Sequence, residues 1–329
     1  MSDISRSYFY ALQNLFVASD FLTYATQGLM IAHDLSQRSN ASLTCFNVLE
    51  KFPAIMRDIV FPYAAMGSDE VEILNELRNG IVARGQRYIE NTMGADASHV
   101  RLKVDFARDS MAKSILHAAS DTNADLMFSG AYGTKPHTTG IIGSMAATFV
   151  AYTRIPLYLI KDPTQHAPHK KILVAFLDPS IDAQLLAWAV SFAMFYPDSD
   201  IEIVSPVPDI EHCDPFKDYA GFAPSERQIE AARVCVTQRA KVAVQSLSVP
   251  FLYEPHVKQM SFGHHAPVQS TAQAVLETAD KIGADLIVVP SSQPYLDSDN
   301  PLRGIARTVT EYANQNCLVI PVAFLKSGR

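Results

Sequence analysis

The feature of this 329-residue sequence that most restricts its fold is an internal repeat. Four short apolar segments of the first half recur in the second half, each displaced by 158 to 161 residues. The pairs are LFVASD at 15–20 with LVAFLD at 173–178, LTCFNVL at 43–49 with IEIVSPV at 201–207, ADLMFSG at 124–130 with ADLIVVP at 284–290, and LYLI at 157–160 with LVIP at 318–321. Because self-similarity at a fixed period indicates repeated structural units, we predict two copies of one domain, at residues 1–163 and 170–329.

Each predicted domain alternates short apolar strands with helical segments. The predicted strands cover 12–18, 42–49, 99–106, 124–129 and 155–160 in the first domain, and 171–177, 200–205, 250–258, 284–290 and 317–324 in the second. Uninterrupted apolar strands indicate burial on both faces, and their alternation with helices predicts parallel pairing through right-handed crossovers. The expected fold is therefore α/β, with two tandem five-stranded, doubly wound parallel sheets that bind ligands at the carboxyl ends of their strands.

Composition and charge narrow the classes of function. With a formal net charge of −7 the chain lacks a basic excess, so we expect no nucleic-acid partner. The longest apolar stretch, residues 185–196, is too short to span a bilayer, and residues 1–16 lack a signal-peptide pattern, so no membrane association is expected. Four widely spaced cysteines form no C-x-x-C pair and predict a cytoplasmic location. The histidines lack metal-ligand spacing, so no metal site is predicted.

A glycine motif follows the predicted strand 124–129. Gly130 and Gly133 precede Gly143 and Ser144 in the spacing G-x2-G-x9-G-S, which matches neither a P-loop nor a dinucleotide fingerprint. Glycines allow a ligand to approach the backbone closely, and free N–H groups at the following helix start attract anions. Lys135 could add a positive charge. On these residues alone, a cradle for a di- or triphosphate and an ordinary strand-to-helix loop both remain open.

With this spacing after the fourth strand and an aspartate after the first, the sequence resembles the universal stress protein family in both halves. The resemblance implies a fold like that of the adenine nucleotide alpha hydrolases, and ATP as ligand, with or without Mg²⁺. It implies that Asp20 and Ala18 lie by the adenosine and that the Val48 backbone contacts the adenine. It also implies that Ser129 and Gly130 lie along the ribose and phosphates. The residues that it implies for holding the phosphates are Gly133, Gly143, Ser144 and Met145. Arg108, before the predicted helix 110–121, could help to neutralise a triphosphate.

The second domain departs from this pattern. Asp178 keeps the acid after the first strand, but Gly130 is replaced by Pro290 and Gly133 by Gln293. The loop that follows has no glycine and carries Asp297 and Asp299, which would repel phosphates. We therefore predict that this domain does not bind ATP in the family's manner.

The resemblance also bears on assembly, because dimers of the family commonly pair through the last strand. The strands predicted at 155–160 and 317–324 could pair in this way inside one chain. A homodimer and an intramolecular pairing of the two domains are therefore both open.

The sequence thus predicts a cytoplasmic stress-response protein that binds ATP in its first domain as a regulatory ligand. No catalytic residue is predicted, because no G-x-S-x-G elbow, base or metal cluster is present, and at most slow hydrolysis or autophosphorylation is expected. One alternative is an adenylating or phosphorylating enzyme of a related fold, which would need acids for magnesium beyond Asp20. The other is a nucleotide-independent, partner-binding stress protein, against which the glycine spacing argues.

Overall fold

The structure is a computed structural model of the chain. It describes residues 12–50, 70–133, 142–164, 169–196, 198–207, 225–251, 262–265, 270–292 and 304–326. Strands and helices alternate in both halves. The N-terminal half contains β1 (Asn14–Ala18), α1 (Thr23–Ser39), β2 (Ser42–Leu49), α2 (Glu70–Met93), a 3-10 helix (Gly94–His99), β3 (Val100–Phe106), α3 (Met111–Asp121), β4 (Leu126–Gly130), α4 (Ser144–Tyr152) and β5 (Leu157–Ile160).

The C-terminal half follows the same plan. It contains β6 (Lys171–Ala175), α5 (Asp182–Ala193), β7 (Asp200–Val204), α6 (Glu226–Phe251), β8 (Phe262–His265), α7 (Thr271–Ile282), β9 (Leu286–Ser291), α8 (Ile305–Tyr312), β10 (Asn316–Pro321) and α9 (Val322–Lys326).

The ten strands of the described residues belong to one sheet. Their order is β3-β2-β1-β4-β5-β10-β9-β6-β7-β8, so the C-terminal half repeats the strand order of the N-terminal half in reverse direction across the sheet. Neighbouring strands are parallel within each half, and the halves join where β5 and β10 pair antiparallel. The predicted α/β class with five parallel strands per half is confirmed, and the two sets merge into a continuous sheet. The pairing of the two last strands within one chain is also observed.

Both faces of the sheet are covered, which explains the uninterrupted apolar strands. Along β1, Leu15 and Val17 face one core, and Phe16 and Ala18 face the other. Helices α1, α2, α5 and α6 supply buried residues to the first core, and α3, α4, α7 and α8 to the second. The arrangement is doubly wound, so the loops at the carboxyl ends of the parallel strands are the places to look for a ligand site.

The strand registers correct the predicted correspondence between the halves. Leu15 pairs with Leu126 and Ile172 pairs with Leu286, which are equivalent positions of β4 and β9. Leu15 therefore corresponds to Ile172, an offset of 157 and not 158. The prediction was one residue wrong because strands buried on both faces lack the alternation that marks register.

The last strands are also shifted by one residue from their predicted match. Met127 pairs with Leu157 and Ile287 with Cys317, so the offset is 160 and not 161. Across the junction Leu157 pairs with Val319, and Leu159 pairs with Cys317. These two pairs exchange under a twofold rotation, so the junction between the halves is pseudo-symmetric.

Two predicted strands end or begin elsewhere. Helix α6 continues to Phe251, residues 252–260 lie outside the described part, and the strand that pairs with β7 is Phe262–His265. Strand β10 ends at Pro321, which lacks the N–H needed to continue the ladder, and a short helix follows. Among the described residues, no helix has both the length and the apolar character needed to cross a bilayer.

Candidate functional site

The predicted site residues lie at the carboxyl ends of neighbouring strands of the N-terminal half. Ala18 closes β1 and is buried, whereas Asp20 is exposed in the loop that follows. The Leu22 N–H donates to Asp20 Oδ1 at 3.0 Å, and the Phe21 N–H donates to Ser19 Oγ at 3.1 Å. These short-range bonds fix the turn between β1 and α1 and keep the Asp20 carboxylate at the open edge of the sheet.

Phe21, next to Asp20, has a left-handed backbone with φ of 62°. Such a conformation is a strained one for a bulky side chain and persists only where packing over-determines it. The ring lies 5.1 Å from that of Tyr88 on α2, and a Cβ on Gly85 would come within 2.8 Å of it. The sequence carries no local signal for this anchor, because it depends on a helix about 65 residues away in the chain.

The end of β2 is tied to the same loop. The Asn47 side-chain amide donates to the Ser19 carbonyl at 2.7 Å, and the Ser19 N–H donates to the Phe46 carbonyl at 2.9 Å. Val48 follows and pairs in register with Asp105 of β3. The predicted adenosine contacts therefore lie close together: Ala18 and Val48 are on two hydrogen-bonded neighbouring strands, and Asp20 is in the loop directly after β1.

The glycine motif closes on itself after β4. The Gly143 N–H donates to the Ala131 carbonyl at 2.8 Å, which brings the end of the motif back beside its start. A Cβ on Gly143 would lie 3.9 Å from the Gly133 nitrogen, so these two glycines are close neighbours. Lys135, in the connection between them, lies outside the described residues.

The two first glycines of the motif serve different purposes. A Cβ on Gly130 would lie 2.7 Å from Tyr24 Cβ, so this glycine is required by packing against α1. A Cβ on Gly133 would have no described atom within 4 Å. The motif thus combines a packing glycine with one that the described residues leave without such a packing contact.

Helix α4 begins next to Gly133. Gly143 is its N-cap, and among the described residues no side chain caps the helix. Ser144 and Met145 on the first turn are exposed. Orphan N–H groups and the helix dipole make such a start suitable for an anion.

Two further predicted residues are less directly placed. The buried Ser129 hydroxyl donates to the Gly130 carbonyl at 3.2 Å, so it stabilises the loop from within. Arg108 is exposed after β3, and strands β2 and β1 lie between β3 and β4. The structure therefore does not bring Arg108 to the glycine motif, and its contact with phosphate stays a prediction.

Tyr132 and Lys161 belong to this region and were not predicted from the sequence. The Tyr132 ring lies 5.4 Å from the Tyr24 ring, and Lys161 Nζ lies 5.6 Å from the Tyr132 ring centroid. Burial raises the pKa of Tyr132 to about 12, so its phenol is neutral at physiological pH. A cavity of about 320 Å³ lies between these residues and the end of α8. The only sequence signal that could have pointed to Tyr132 is its position inside the glycine motif.

The corresponding edge of the C-terminal half is built differently. Pro290, at the position of Gly130, lies inside β9 and pairs with Ile320. By strand register the position of Asp20 is taken by Leu177, and Asp178 comes one residue later, which corrects the predicted match. Asp178 still accepts the Ser180 N–H at 2.9 Å, in the same kind of turn as Asp20.

An ion pair covers the end of β6. Arg239 of α6 donates to the Phe176 carbonyl at 3.1 Å, and this carbonyl corresponds to the one that Asn47 reaches in the N-terminal half. Arg239 Nε also lies 2.9 Å from Asp182 Oδ2. Desolvation raises the pKa of the buried Asp182 to about 7, although Arg239 acts to lower it. A long side chain from α6 thus occupies the strand end that the shorter Asn47 side chain reaches in the N-terminal half.

No group of three or more metal-ligating side chains occurs in the part of the chain that the structure describes. The cysteines within that part are free thiols: Cys45, Cys235 and Cys317. Gln293, Asp297 and Asp299 lie outside it.

Comparison with known proteins gives a family for the N-terminal half. A model of the universal stress protein family matches residues 12–161. A universal stress protein from Archaeoglobus fulgidus DSM 4304 is similar in structure with a TM-score of 0.61 and 13% identity, covering 95% of this chain and 99% of its own. A protein of unknown function from Pseudomonas aeruginosa PAO1 gives a TM-score of 0.58 and 12% identity, covering 96% of this chain and 95% of its own. At these identities the likeness establishes the fold alone, and no curated protein matches the chain.

Proposed function

Because residues 12–161 of this chain belong to the universal stress protein family, we propose that its N-terminal half binds ATP as a regulatory ligand. The observation that carries the proposal is the closed glycine motif, in which Gly143 is bonded to Ala131 beside Gly133 and the start of α4, a helix start that no side chain of the described residues caps. Backbone N–H groups arranged in this way suit phosphate oxygens. The protein would act in the stress response within the cytoplasm, where its free thiols would remain reduced.

The rest of the edge supports an adenine nucleotide. Asp20 is exposed at the end of β1, beside the loop that Asn47 ties to β2. A carboxylate there can accept hydrogen bonds from ribose hydroxyls. Mg²⁺ is usually held by phosphates and one or two carboxylates, so it would be bound chiefly through the nucleotide.

The C-terminal half has a different role in this proposal. Pro290 removes a backbone donor within β9, and Arg239 with Asp182 covers the end of β6. Neither arrangement suits a nucleotide bound as in the N-terminal half. We assign to this half a structural role beside the nucleotide site.

Titration calorimetry with millimolar Mg-ATP tests the proposal. A Gly143→Ala substitution keeps the fold, because its Cβ would lie 3.5 Å from the Ala131 oxygen, an ordinary contact. It should nevertheless weaken ATP binding about tenfold or more, because the methyl group intrudes on the phosphate position. Gly80→Ala, where a Cβ on α2 would have no described atom within 4 Å, is the matched control and should bind as the wild type does.

Two results would overturn the proposal. One is the absence of binding heat for the wild type, together with the absence of adenine nucleotide in the supernatant of heat-denatured protein. The other is rapid release of AMP or phosphate in a turnover assay, which would indicate an adenylating or phosphorylating enzyme instead.

A further inference from the structure

The segment that follows β5 is held by the C-terminal half. The side-chain oxygen of Asn316, a fully buried residue of β10, accepts the Lys161 N–H at 2.8 Å and the Asp162 N–H at 3.1 Å. Lys161 Nζ donates to the carbonyls of Thr310 at 2.6 Å and Glu311 at 3.0 Å, in the last turn of α8. A lysine at a helix C-terminus is favoured by the exposed carbonyls and by the helix dipole.

The same segment also holds the glycine motif of the N-terminal half. The Ile160 carbonyl, directly before Lys161, accepts the Ala131 N–H at 2.8 Å. The Lys161 ammonium lies 5.6 Å from the Tyr132 ring centroid, within cation–π distance. Since Ala131 also accepts the Gly143 N–H, contacts run without interruption from α8 through Lys161 to the glycine motif.

The hydrogen bonds of the Lys161 and Asn316 side chains have no counterpart at the pseudo-symmetric positions of the described chain. By strand register Lys161 corresponds to Pro321 and Asn316 corresponds to Pro156. A proline has neither a side-chain amine nor an amide group to take part in such bonds. The C-terminal half therefore holds the half that keeps the glycine motif through these bonds, and the equivalent bonds in the reverse sense cannot form.

The surroundings make the contact with Lys161 important for the position of Tyr132. Tyr132, Lys161 and the end of α8 line one cavity of about 320 Å³, and the Lys161 ammonium contacts the tyrosine ring at its border. Burial lowers the pKa of Lys161, and the nearby Cys317 and Glu311 offset this effect only in part. Two carbonyl oxygens accept from the ammonium, which compensates for its removal from water.

We propose that Lys161 is a positioning residue for nucleotide binding, through which the C-terminal half holds the glycine motif in its binding conformation. The proposal rests on the function proposed above. Because coupling between two sites is reciprocal, a nucleotide on the glycine motif also stabilises the attachment of α8.

The test compares two lysine substitutions by calorimetry with Mg-ATP. Lys161→Met is expected to weaken ATP binding by about tenfold, within the range usual for coupled sites. Lys171→Met is the matched control, because Lys171 Nζ caps α7 through the Ile282 carbonyl at 2.9 Å within the C-terminal half. It should leave ATP affinity unchanged.

Hydrogen exchange provides a readout that a purely structural role would not change. In the wild type, ATP should slow exchange in a peptide covering residues 305–316 by about twofold or more, and this response should disappear in Lys161→Met. Tyr132→Leu, which leaves the lysine bonds in place, should weaken ATP binding by a similar factor. It keeps the proposal testable even where Lys161→Met is poorly folded.

The outcomes separate the two proposals. Wild-type protein without ATP binding would overturn the proposed function and this inference together. ATP binding that is equal in the wild type, Lys161→Met and Tyr132→Leu would overturn only the role of Lys161. A combined Lys161→Met/Tyr132→Leu variant whose loss is the full sum of the single losses would also refute it, because residues that act through one another are not additive.

Discussion

Replacing Gly133 by alanine is predicted to weaken ATP binding while leaving stability unchanged, whereas the same change at Gly130 is predicted to destabilise the fold. At Gly130 the new Cβ would lie 2.7 Å from Tyr24 Cβ and 3.3 Å from the Tyr132 carbonyl oxygen. Carbon atoms in contact prefer about 3.5–4.0 Å, so close to 1 Å must be absorbed. Because Tyr24 Cβ is attached directly to the α1 backbone, the helix itself must shift, at a cost of about 1–3 kcal/mol.

At Gly133 the new methyl group would meet no described atom within 4 Å, and the backbone is outside the left-handed region. The free energy of unfolding should therefore change by less than about 0.5 kcal/mol. If phosphate oxygens contact this backbone, the methyl group displaces them, and the expected loss of affinity is about tenfold, or 1.4 kcal/mol. Urea unfolding followed by far-UV circular dichroism measures the first quantity, and calorimetry with Mg-ATP measures the second.

The reasoning would be refuted in either of two ways. If Gly133→Ala lowered the urea midpoint as much as Gly130→Ala, the steric distinction between the two glycines would be wrong. If Gly133→Ala bound ATP as tightly as a wild type that binds it, the open side of the motif would not be the ligand side.

Three further predictions concern stability. Asp125 Oδ2 accepts the N–H groups of Gln13 and Asn14, and Asp285 Oδ2 accepts those of Lys170 and Lys171. Asp125→Ala and Asp285→Ala should therefore each lower the free energy of unfolding, measured by urea titration, by about 1.5–3 kcal/mol. Equal stability of wild type and variants would contradict this prediction. Since desolvation raises the pKa of Asp182 from 3.8 to about 7, ionising it opposes folding, so wild-type stability relative to Asp182→Asn should fall as pH rises from about 4 to 7. Burial lowers the pKa of His169 from 6.5 to about 4, so stability relative to His169→Asn should fall as pH drops from about 6.5 to 4, and a flat difference would refute the burial effect.

Local patterns were sufficient to predict most of the architecture. Apolar residues at 25, 29, 32 and 35 have the helical spacing of α1. The helix predicted at 110–121 is observed as α3, and its N-cap Ser110 accepts the Lys113 N–H at 3.3 Å. Continuous apolar strands between helices predicted parallel pairing, and the structure confirms it. These features depend on residues that are near one another in the chain, which is why a sequence reveals them.

Register and long-range contacts could not be predicted in this way. Leu15 and Leu173 look equivalent in sequence, yet they face opposite cores, because a one-residue shift reverses every side chain. The strand predicted at 250–258 was wrong in position, since α6 continues to Phe251 and β8 is Phe262–His265. The second error arises at a short apolar run, which periodicity alone cannot assign to a strand or to a helix.

The candidate site shows the same division. The spacing of the glycines predicted a loop before a helix, and the bond from Gly143 to Ala131 shows how that loop closes. The contact of Lys161 with Glu311 joins residues 150 positions apart, in different halves. This contact could be predicted only if the pairing of the two halves were known, and no local sequence pattern describes that pairing.

The antiparallel pairing of β5 with β10 has a consequence for how this protein can evolve. Where two identical subunits meet, every substitution at the interface arises twice, once on each side, so the two surfaces must stay the same. Here the two sides are encoded separately, and a change on one side leaves the other untouched. Lys161, at the position where the other half has Pro321, is such a change, possible only because the two halves share one chain. Covalent linkage also fixes their ratio at one to one at any protein concentration, so one half is free to specialise as permanent support for the other.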